Sequence, residues 1–292
     1  QYRWNGVNWT KTLVVPLGED YTRLAVGDGN NDGLNELYVS GGGADKNLYE
    51  FSFDGSAWTQ TIVGTTYAYY YFQSIVVGDG DNDGLNEVYA GIDTDYKGTL
   101  YQFEWDGSAW NQTSVDSAGA MRTLALGDGN NDMLNEVYVN TQGHGYPEYD
   151  TVHEYLWDGT SWSDYPIYRV PSAMRSCIGL AIADGENCNS NRVYFSNWNG
   201  IIQAAWDGSA WSGSLIGNSS DCFLSQLAVG DADNDGDNEL YAAGLQLSQF
   251  IFNGTTWEKT FSHAHDDHQF MKCMIADCNL DGENEIYVTR YE

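Results

Sequence analysis

The sequence predicts an all-β fold, a six-bladed β-propeller built from four-stranded antiparallel blades. Two motifs indicate this, because each occurs in six copies and the two alternate strictly along the 292 residues. The acidic motif, first seen as "DGNNDGLNELY", starts at Asp28, Asp79, Asp128, Asp184, Asp231 and Asp277. The hairpin motif, of the form "WDGSAW", starts at Trp4, Phe53, Trp105, Trp157, Trp206 and Phe252. Steps of 51, 49, 56, 47 and 46 residues between acidic copies give a repeat of about fifty residues.

Each repeat contains four segments with strand character, as the stretch from Arg23 to Gly64 illustrates. The apolar run "RLAVGD" predicts an inner strand buried on both faces, and "ELYVSG" predicts a second strand. "LYEFSFDG" alternates and predicts a half-buried third strand, whose "DG" turns the chain into the fourth strand, "WTQTIV". No helical periodicity interrupts this order.

The phase of the repeats predicts how the propeller closes. The chain begins within strands three and four of a repeat and ends with strands one and two. We therefore expect residues 1–15 to pair with residues 274–291 in one composite blade, which would remove an open sheet edge. The predicted single domain, residues 1–292, has this composite blade (1–15 with 266–292) and blades at 21–64, 72–116, 121–168, 175–217 and 223–262.

Composition limits the partners and the compartment. Asp plus Glu number 42 against 12 Lys plus Arg, and the formal charge of -30 excludes nucleic acid and anionic membrane as partners. No run of 18 apolar residues exists, so membrane insertion is not expected. The chain opens at Gln1 without Met, as a processed chain would, and is rich in Trp, Tyr, Gly and Asn, which predicts a secreted, extracellular protein. Four sequons are candidate glycosylation sites: Asn8, Asn111, Asn218 and Asn253.

Five cysteines allow at most two disulfides. Cys177 and Cys222 precede equivalent inner strands of adjacent repeats and form the preferred bridge, with buried thiols as the alternative. None of the cysteines has the CxxC spacing of a zinc ribbon.

The acidic loop has the spacing of a cation site. Counting Asp28 as position 1, the oxygen-bearing side chains Asn30, Asp32 and Glu36 stand at positions 3, 5 and 9, and Gly33 at position 6 permits a sharp turn. The carbonyl of Leu34 at position 7 is a further candidate ligand. Several hard, anionic oxygens in a short flexible loop suit Ca²⁺ better than Mg²⁺, zinc or copper. A solvated turn rich in Asp and Asn, without metal, is the alternative.

The six copies of the acidic loop differ in how well they match this ligand spacing. We predict about five calcium sites and no metal in the fourth loop, because Cys188 and Arg192 stand at its positions 5 and 9, where the guanidinium would replace the cation. Met133 replaces the glycine of the third loop, and Cys278 enters the sixth. The predicted calcium ligands are Asp28, Asn30, Asp32, Leu34 and Glu36; Asp79, Asp81, Asp83, Leu85 and Glu87; Asp128, Asn130, Asp132, Leu134 and Glu136; Asp231, Asp233, Asp235, Asp237 and Glu239; and Asp277, Asn279, Asp281, Glu283 and Glu285.

The D-x-[DN]-x-D-G-x-x-[DE] loop and its flanking strands resemble the FG-GAP/VCBS-type calcium-binding repeats of the integrin α-subunit propeller and of secreted lectin-like and polysaccharide-degrading proteins. The resemblance covers nearly the whole chain, although Glu at position 9 and the preceding Asn depart from the commoner Asp. It implies a propeller with Ca²⁺ in the loops that join strands one and two. It does not define the ligand, because propellers have many functions.

The irregular loops at the opposite end of the blades are the predicted ligand surface. Aromatic, histidine and amide side chains there suit sugar recognition, and loops that only cover the channel are the alternative. The candidates are Tyr69, Tyr70, Tyr71, Phe72, His144, Tyr146, Trp198, His263, His265 and His268. The tryptophans of the hairpin motif are expected to pack between blades rather than to stack on sugars.

These observations predict a secreted, calcium-stabilised propeller that binds glycan or extracellular protein, and they leave enzymatic activity open. A polysaccharide lyase or hydrolase that uses the His and carboxylate side chains is the first alternative. A structural subunit that self-assembles into an extracellular filament is the second.

Overall fold

The computed structural model describes residues 2–4, 9–11, 14, 23–42, 45–67, 70–93, 98–117, 119–142, 150–169, 179–197, 200–218, 226–264, 270–277 and 281–290. These residues form strands and turns and no helix, so none of them belongs to a helix able to cross a membrane. The strands, in chain order, are β1 (Tyr2–Trp4), β2 (Trp9–Lys11), β3 (Arg23–Gly27), β4 (Glu36–Ser40), β5 (Asn47–Phe53), β6 (Trp58–Thr65), β7 (Phe72–Gly78), β8 (Glu87–Asp93), β9 (Gly98–Trp105), β10 (Trp110–Asp116), β11 (Ala120–Gly127), β12 (Glu136–Gln142), β13 (Thr151–Trp157), β14 (Trp162–Arg169), β15 (Leu180–Ala183), β16 (Arg192–Asn197), β17 (Gly200–Trp206), β18 (Trp211–Asn218), β19 (Gln226–Gly230), β20 (Glu239–Ala243), β21 (Gln246–Phe252), β22 (Trp257–Ala264), β23 (Phe270–Ala276) and β24 (Glu285–Arg290).

The described strands form five four-stranded antiparallel sheets, each with its strands in chain order: β3–β6, β7–β10, β11–β14, β15–β18 and β19–β22. β1 with β2, and β23 with β24, form two two-stranded sheets. In each four-stranded sheet the acidic loop joins strands one and two, and the hairpin motif joins strands three and four. These two connections therefore lie at the same end of the sheet, as expected for antiparallel neighbours.

The chain divides into two compact units. One contains residues 1–13, 128–132 and 173–292, and the other contains residues 14–127 and 133–172. The predicted composite blade falls within the first unit, which holds both two-stranded sheets. Pairing between those two sheets stays a prediction.

Within each unit, the core lies between successive sheets. In one unit, Tyr38 and Leu48 of the first sheet pack with Phe72, Val88 and Phe103 of the second. In the other, β15–β18 and β19–β22 share an equivalent cluster that includes Tyr194, Leu240 and Phe250. The second strands β4, β8, β16 and β20 are buried along most of their length, which is typical of the inner part of a propeller blade.

Two expectations about burial were wrong. The first strand is not buried on both faces, since Leu24 of β3 is 56% exposed and residues alternate along that strand. The second strand is the most buried of the four, and β8 is buried from Glu87 to Ile92. The third strand is more than half-buried: Leu48, Tyr49, Glu50 and Phe51 are all buried in succession.

The hairpin motif forms a four-residue turn between Phe53 and Trp58. The Asp54 amide donates to the Ala57 carbonyl at 3.1 Å, and Gly55 has a φ of 93°. The Asp54 carboxylate caps the turn by accepting from the Ser56 and Ala57 amides at 2.7 and 2.8 Å. The same cap recurs at Asp106, Asp158 and Asp207.

Candidate functional site

The acidic loops wrap around their first aspartate. In the first loop, Asp28 Oδ1 accepts from the Asp32 amide at 3.0 Å and Oδ2 accepts from the Gly33 amide at 2.9 Å. Asp231 and Asp277 do the same in the fifth and sixth loops.

In the second loop, Asp79, Asp81, Asp83 and Glu87 each offer an oxygen that lies within 4.8 Å of the others. The fifth loop has the same convergence, formed by Asp231, Asp233, Asp235 and Glu239. The sequence spacing predicted both groups.

Burial and mutual repulsion raise the pKa of the position-9 glutamates. Glu87 is 2% exposed, and burial, followed by the charge of Asp81, raises its pKa to about 8. Burial and then Asp32, Glu50 and Asp28 raise the pKa of Glu36 to about 7. Burial likewise raises the pKa of Glu239 to about 7. Each of these glutamates is therefore protonated more readily than an exposed glutamate.

The donor chemistry fits calcium. The converging atoms are carboxylate oxygens, which Ca²⁺ prefers. Asp79 Oδ1 is buried and has no hydrogen-bond partner among the described residues. A buried anionic oxygen without a partner is costly unless a cation or water meets it. The residues that would hold the ion in this loop are the four carboxylates, with the Leu85 carbonyl as a further candidate.

The fourth loop carries its own cation. Arg192, at position 9, places its guanidinium 2.9 Å from Glu186 at position 3 and 3.6 Å from Cys188 Sγ at position 5. Its Nη1 also donates to Ser190 Oγ at 2.7 Å. The guanidinium thus lies beside the side chains at positions 3 and 5 of this loop, and the absence of a metal there stays a prediction.

The third and sixth loops are described in part. The third is divided between the two units: Asp128 and Asn130 accept from the Asp132 amide in one, and Glu136 accepts from Tyr138 in the other. In the sixth, Asp281 accepts from the Glu283 amide at 3.0 Å and Glu285 accepts from Tyr287 at 2.9 Å. Cys278 and Asn279 lie outside the described residues.

A second set of asparagines, whose contacts the sequence did not predict, ties neighbouring loops together. We call it the Asn clasp: the Asn at position 4 of one loop bonds the Asn at position 8 of the next. In the first clasp, Asn31 Oδ1 accepts from the Asn86 amide at 2.7 Å and Asn31 Nδ2 donates to the Asn86 carbonyl at 2.9 Å. Asn86 Nδ2 donates to the Asp28 carbonyl at 2.8 Å. The other clasps are Asn82–Asn135, Asn131–Asn191, Asn187–Asn238 and Asn234–Asn284.

Hairpin tryptophans pack on the preceding blade, which confirms the structural interpretation at three positions. Trp110 meets Tyr38 edge-on, with ring centroids 6.0 Å apart, and its Nε1 donates to Glu50 at 3.1 Å. Trp162 and Trp257 make equivalent contacts with Tyr89 and Tyr194. These rings are used for packing.

Part of the predicted ligand surface is described. Tyr67, in the connection from β6 to β7, is 75% exposed, and Tyr70 and Tyr71 are half-buried beside it. Thr66 fixes this connection through its amide, which donates to the Lys46 carbonyl at 2.9 Å. Phe72 is fully buried against Tyr101 and Phe103, so it serves the core and not ligand contact.

The other predicted ligand-binding, glycosylation and disulfide residues lie apart from this surface or outside the described residues. His263 is exposed on β22, the outer strand, beside Phe270. Tyr69, His144, Tyr146, Trp198, His265, His268, Asn8, Cys177 and Cys222 lie outside the described residues. Asn111 and Asn218 are exposed. Asn253 caps its hairpin in place of aspartate. The described cysteines Cys188 and Cys273 are free thiols.

No protein-family model matches this sequence, and no match was found among curated proteins. The structure is similar to AofleA from Arthrobotrys oligospora, with 11% identity, a TM-score of 0.51, and coverage of 92% of this chain and 79% of that one. It is also similar to the fucose-specific lectin from Aleuria aurantia, with 14% identity, a TM-score of 0.51, and coverage of 92% and 86%. A further Aleuria aurantia lectin structure, described as a six-bladed β-propeller, matches at a TM-score of 0.47 and 18% identity over 83% of this chain and 78% of that one.

The sheets, the six repeats and these likenesses establish the predicted fold class, a six-bladed β-propeller. The resemblance of the loops to FG-GAP/VCBS-type repeats stays an interpretation of the motif.

Proposed function

We propose that this protein is a lectin-like propeller that binds glycans, with blades held in register by calcium in the acidic loops. The observation that carries glycan binding is the fold, which extends over 92% of the chain in common with a fucose-specific lectin. The exposed Tyr67 with Tyr70 and Tyr71, at the end of the blade away from the acidic loops, supports this function. Tyrosine offers an apolar ring for sugar C–H faces and a hydroxyl for hydrogen bonding.

Calcium is proposed from three supporting observations. Four carboxylates converge in the second and fifth loops. A buried Asp79 oxygen lacks a partner among the described residues. The loop that has lost acidic residues at positions 5 and 9 contains a guanidinium instead. Extracellular calcium modules bind with a Kd of about 10⁻⁴ to 10⁻³ M, so millimolar calcium outside the cell would occupy such sites. The proposal therefore includes secretion, because the loops would meet millimolar calcium outside the cell.

A glycan array tests the function. Purified protein in millimolar calcium should bind a restricted set of glycans, and the array should include fucosylated and unfucosylated members. Replacing Tyr70 and Tyr71 with Ala should weaken that binding by about 1–3 kcal/mol, the usual cost of losing an aromatic anchor. Tyr165→Ala is the matched control, because Tyr165 is exposed on the outer strand β14, away from the predicted surface.

Binding to no glycan on a broad array would overturn the lectin proposal. Equal loss in the Tyr165→Ala control would show that the effect is not local to the predicted surface.

A further inference from the structure

We infer that each cation site extends beyond its loop to one residue on the third strand of the same blade, which fixes the charge of the site and joins it to the next blade. This inference rests on the proposed calcium sites. The residue stands four positions before the first residue of the hairpin turn. In the five four-stranded sheets it is Glu50, Gln102, Glu154, Gln203 and Gln249.

The third-strand residue contacts position 3 of the acidic loop directly. In the first sheet, Asn30 Nδ2 donates to Glu50 Oε1 at 2.8 Å. In the second, the roles are exchanged, and Gln102 Nε2 donates to Asp81 Oδ2 at 2.8 Å. Gln203 donates to Glu186 at 2.8 Å in the fourth sheet, and Gln249 reaches Asp233 at 3.5 Å in the fifth.

In the five repeats that form four-stranded sheets, the two positions carry one carboxylate and one amide. Where position 3 is Asn, the third-strand residue is Glu, and where position 3 is Asp or Glu, it is Gln; Asn130 and Glu154 follow the same rule in sequence. A carboxylate pair here would repel, and an amide pair would remove one negative charge from the site. The exchange therefore keeps one carboxylate at this point in all five repeats.

The contact also orients the loop. With Nδ2 held by Glu50, Asn30 presents Oδ1, which accepts from the Asp32 amide at 3.0 Å. With Oδ2 held by Gln102, Asp81 presents Oδ1, which accepts from the Asp83 amide at 3.3 Å. Both arrangements leave an oxygen at the same place in the loop. Glu50 and Gln102 are thus positioning residues for position 3.

The same side chain receives the tryptophan of the next blade. Trp110 Nε1 donates to Glu50 Oε2 at 3.1 Å, and Trp162 Nε1 donates to Gln102 Oε1 at 3.2 Å. Trp257 Nε1 donates to Gln203 Oε1 at 2.7 Å. Loop, third strand and neighbouring blade are therefore joined by consecutive hydrogen bonds, so order in the loop stabilises the contact between blades.

A reciprocal exchange tests the inference. Glu50→Gln places an amide against the amide of Asn30. It should weaken the calcium affinity of the first loop by about 10–100-fold, which is the usual effect of losing a residue that supports a metal ligand. The double variant Asn30→Asp with Glu50→Gln reproduces the arrangement of the second blade and should restore affinity. Glu104→Gln removes the same charge from an exposed position near the second loop and serves as the control. Bound calcium is counted by equilibrium dialysis, and melting with and without calcium gives a second readout.

If Glu50→Gln does not fold, Asp81→Asn alone and combined with Gln102→Glu provide the same comparison in the second blade. Wild-type protein that binds no calcium would overturn the proposed cation sites. Calcium binding that is normal in Glu50→Gln, or that the reciprocal exchange fails to restore, would overturn this inference alone.

Discussion

At the scale of single residues, the asparagines have two different tasks that the sequence motif does not separate. Asn30 belongs to the interior of its own loop, whereas Asn31 faces the neighbouring loop and bonds Asn86. Asn31 also has a φ of 60°, in the left-handed region that Asn tolerates better than most residues. The hydrogen bonds of its side chain and its backbone conformation therefore both favour Asn.

We expect Asn31→Ala to lower the free energy of unfolding by about 1–3 kcal/mol, because two hydrogen bonds are lost and Ala is disfavoured at positive φ. Asn31→Gly removes the hydrogen bonds without the conformational penalty and should fall between wild type and Ala. Urea unfolding in a calcium chelator measures both variants. A Gly variant as stable as wild type would mean that the clasp contributes nothing.

Met133 stands where four other described loops have glycine. Its φ is 74°, and its side chain is 90% exposed. Met133→Gly should therefore raise the free energy of unfolding by about 0.5–1 kcal/mol. The change removes the strain of a left-handed Met, and the larger conformational entropy that glycine loses on folding offsets part of that gain. The reverse change, Gly84→Met, should destabilise, since Gly84 has a φ of 93°. Thermal melting of the two variants should move in opposite directions.

At the scale of the loop, the fourth repeat shows how the element tolerates the loss of its acidic residues. Arg192 replaces both the glutamate and, by our account, the ion. Tyr194 correspondingly lacks the position-9 glutamate that accepts from Tyr38, Tyr89 and Tyr241 in other blades.

Restoring the motif should create a site. The double variant Cys188→Asp with Arg192→Glu should bind about one more calcium per chain than wild type, because it regains carboxylates at positions 5 and 9. Arg192→Gln, which removes the guanidinium without adding carboxylates, should gain none. Equilibrium dialysis compares the three proteins. An unchanged count in the double variant would contradict the assignment of those positions.

The hairpin turn has its own pH dependence. Hydrogen bonds from Ser108, Ala109 and Asn111 lower the pKa of Asp106 to about 2. The pKa of Asp106 in the folded protein is thus below its ordinary value. The stabilisation that the ionised carboxylate gives the turn is therefore complete above about pH 4 and is lost as the pH falls towards 2. Asp106→Asn should keep the turn without this acid sensitivity, since Asn253 caps the sixth hairpin with the same amides. NMR titration of the Asp106 carboxyl carbon should report the low value, and an ordinary one would contradict the cap.

At the scale of the molecule, the repeats alone predicted the fold class, because motif period and strand order are properties of sequence. They also predicted the four carboxylates of the second and fifth loops. They did not predict that Glu50 would be buried, since its alternation with Tyr49 and Phe51 suggested a solvent-facing side chain. Burial there depends on the next blade, which covers the face with Trp110. The sequence contains the pair Asn30 and Glu50 in one repeat and the pair Asp81 and Gln102 in the next. That these residues form pairs becomes evident only when the structure places the third strand beside the loop.

Thermal unfolding in a calcium chelator and in millimolar calcium tests the central claim most directly. Occupation of each site at several times its Kd adds about 1–2 kcal/mol, so several sites should raise the melting temperature by several degrees or more. Magnesium at the same concentration is the control for ionic strength and should give a smaller rise. The account predicts the large, calcium-specific increase, and an equal melting temperature in chelator and in calcium would contradict it.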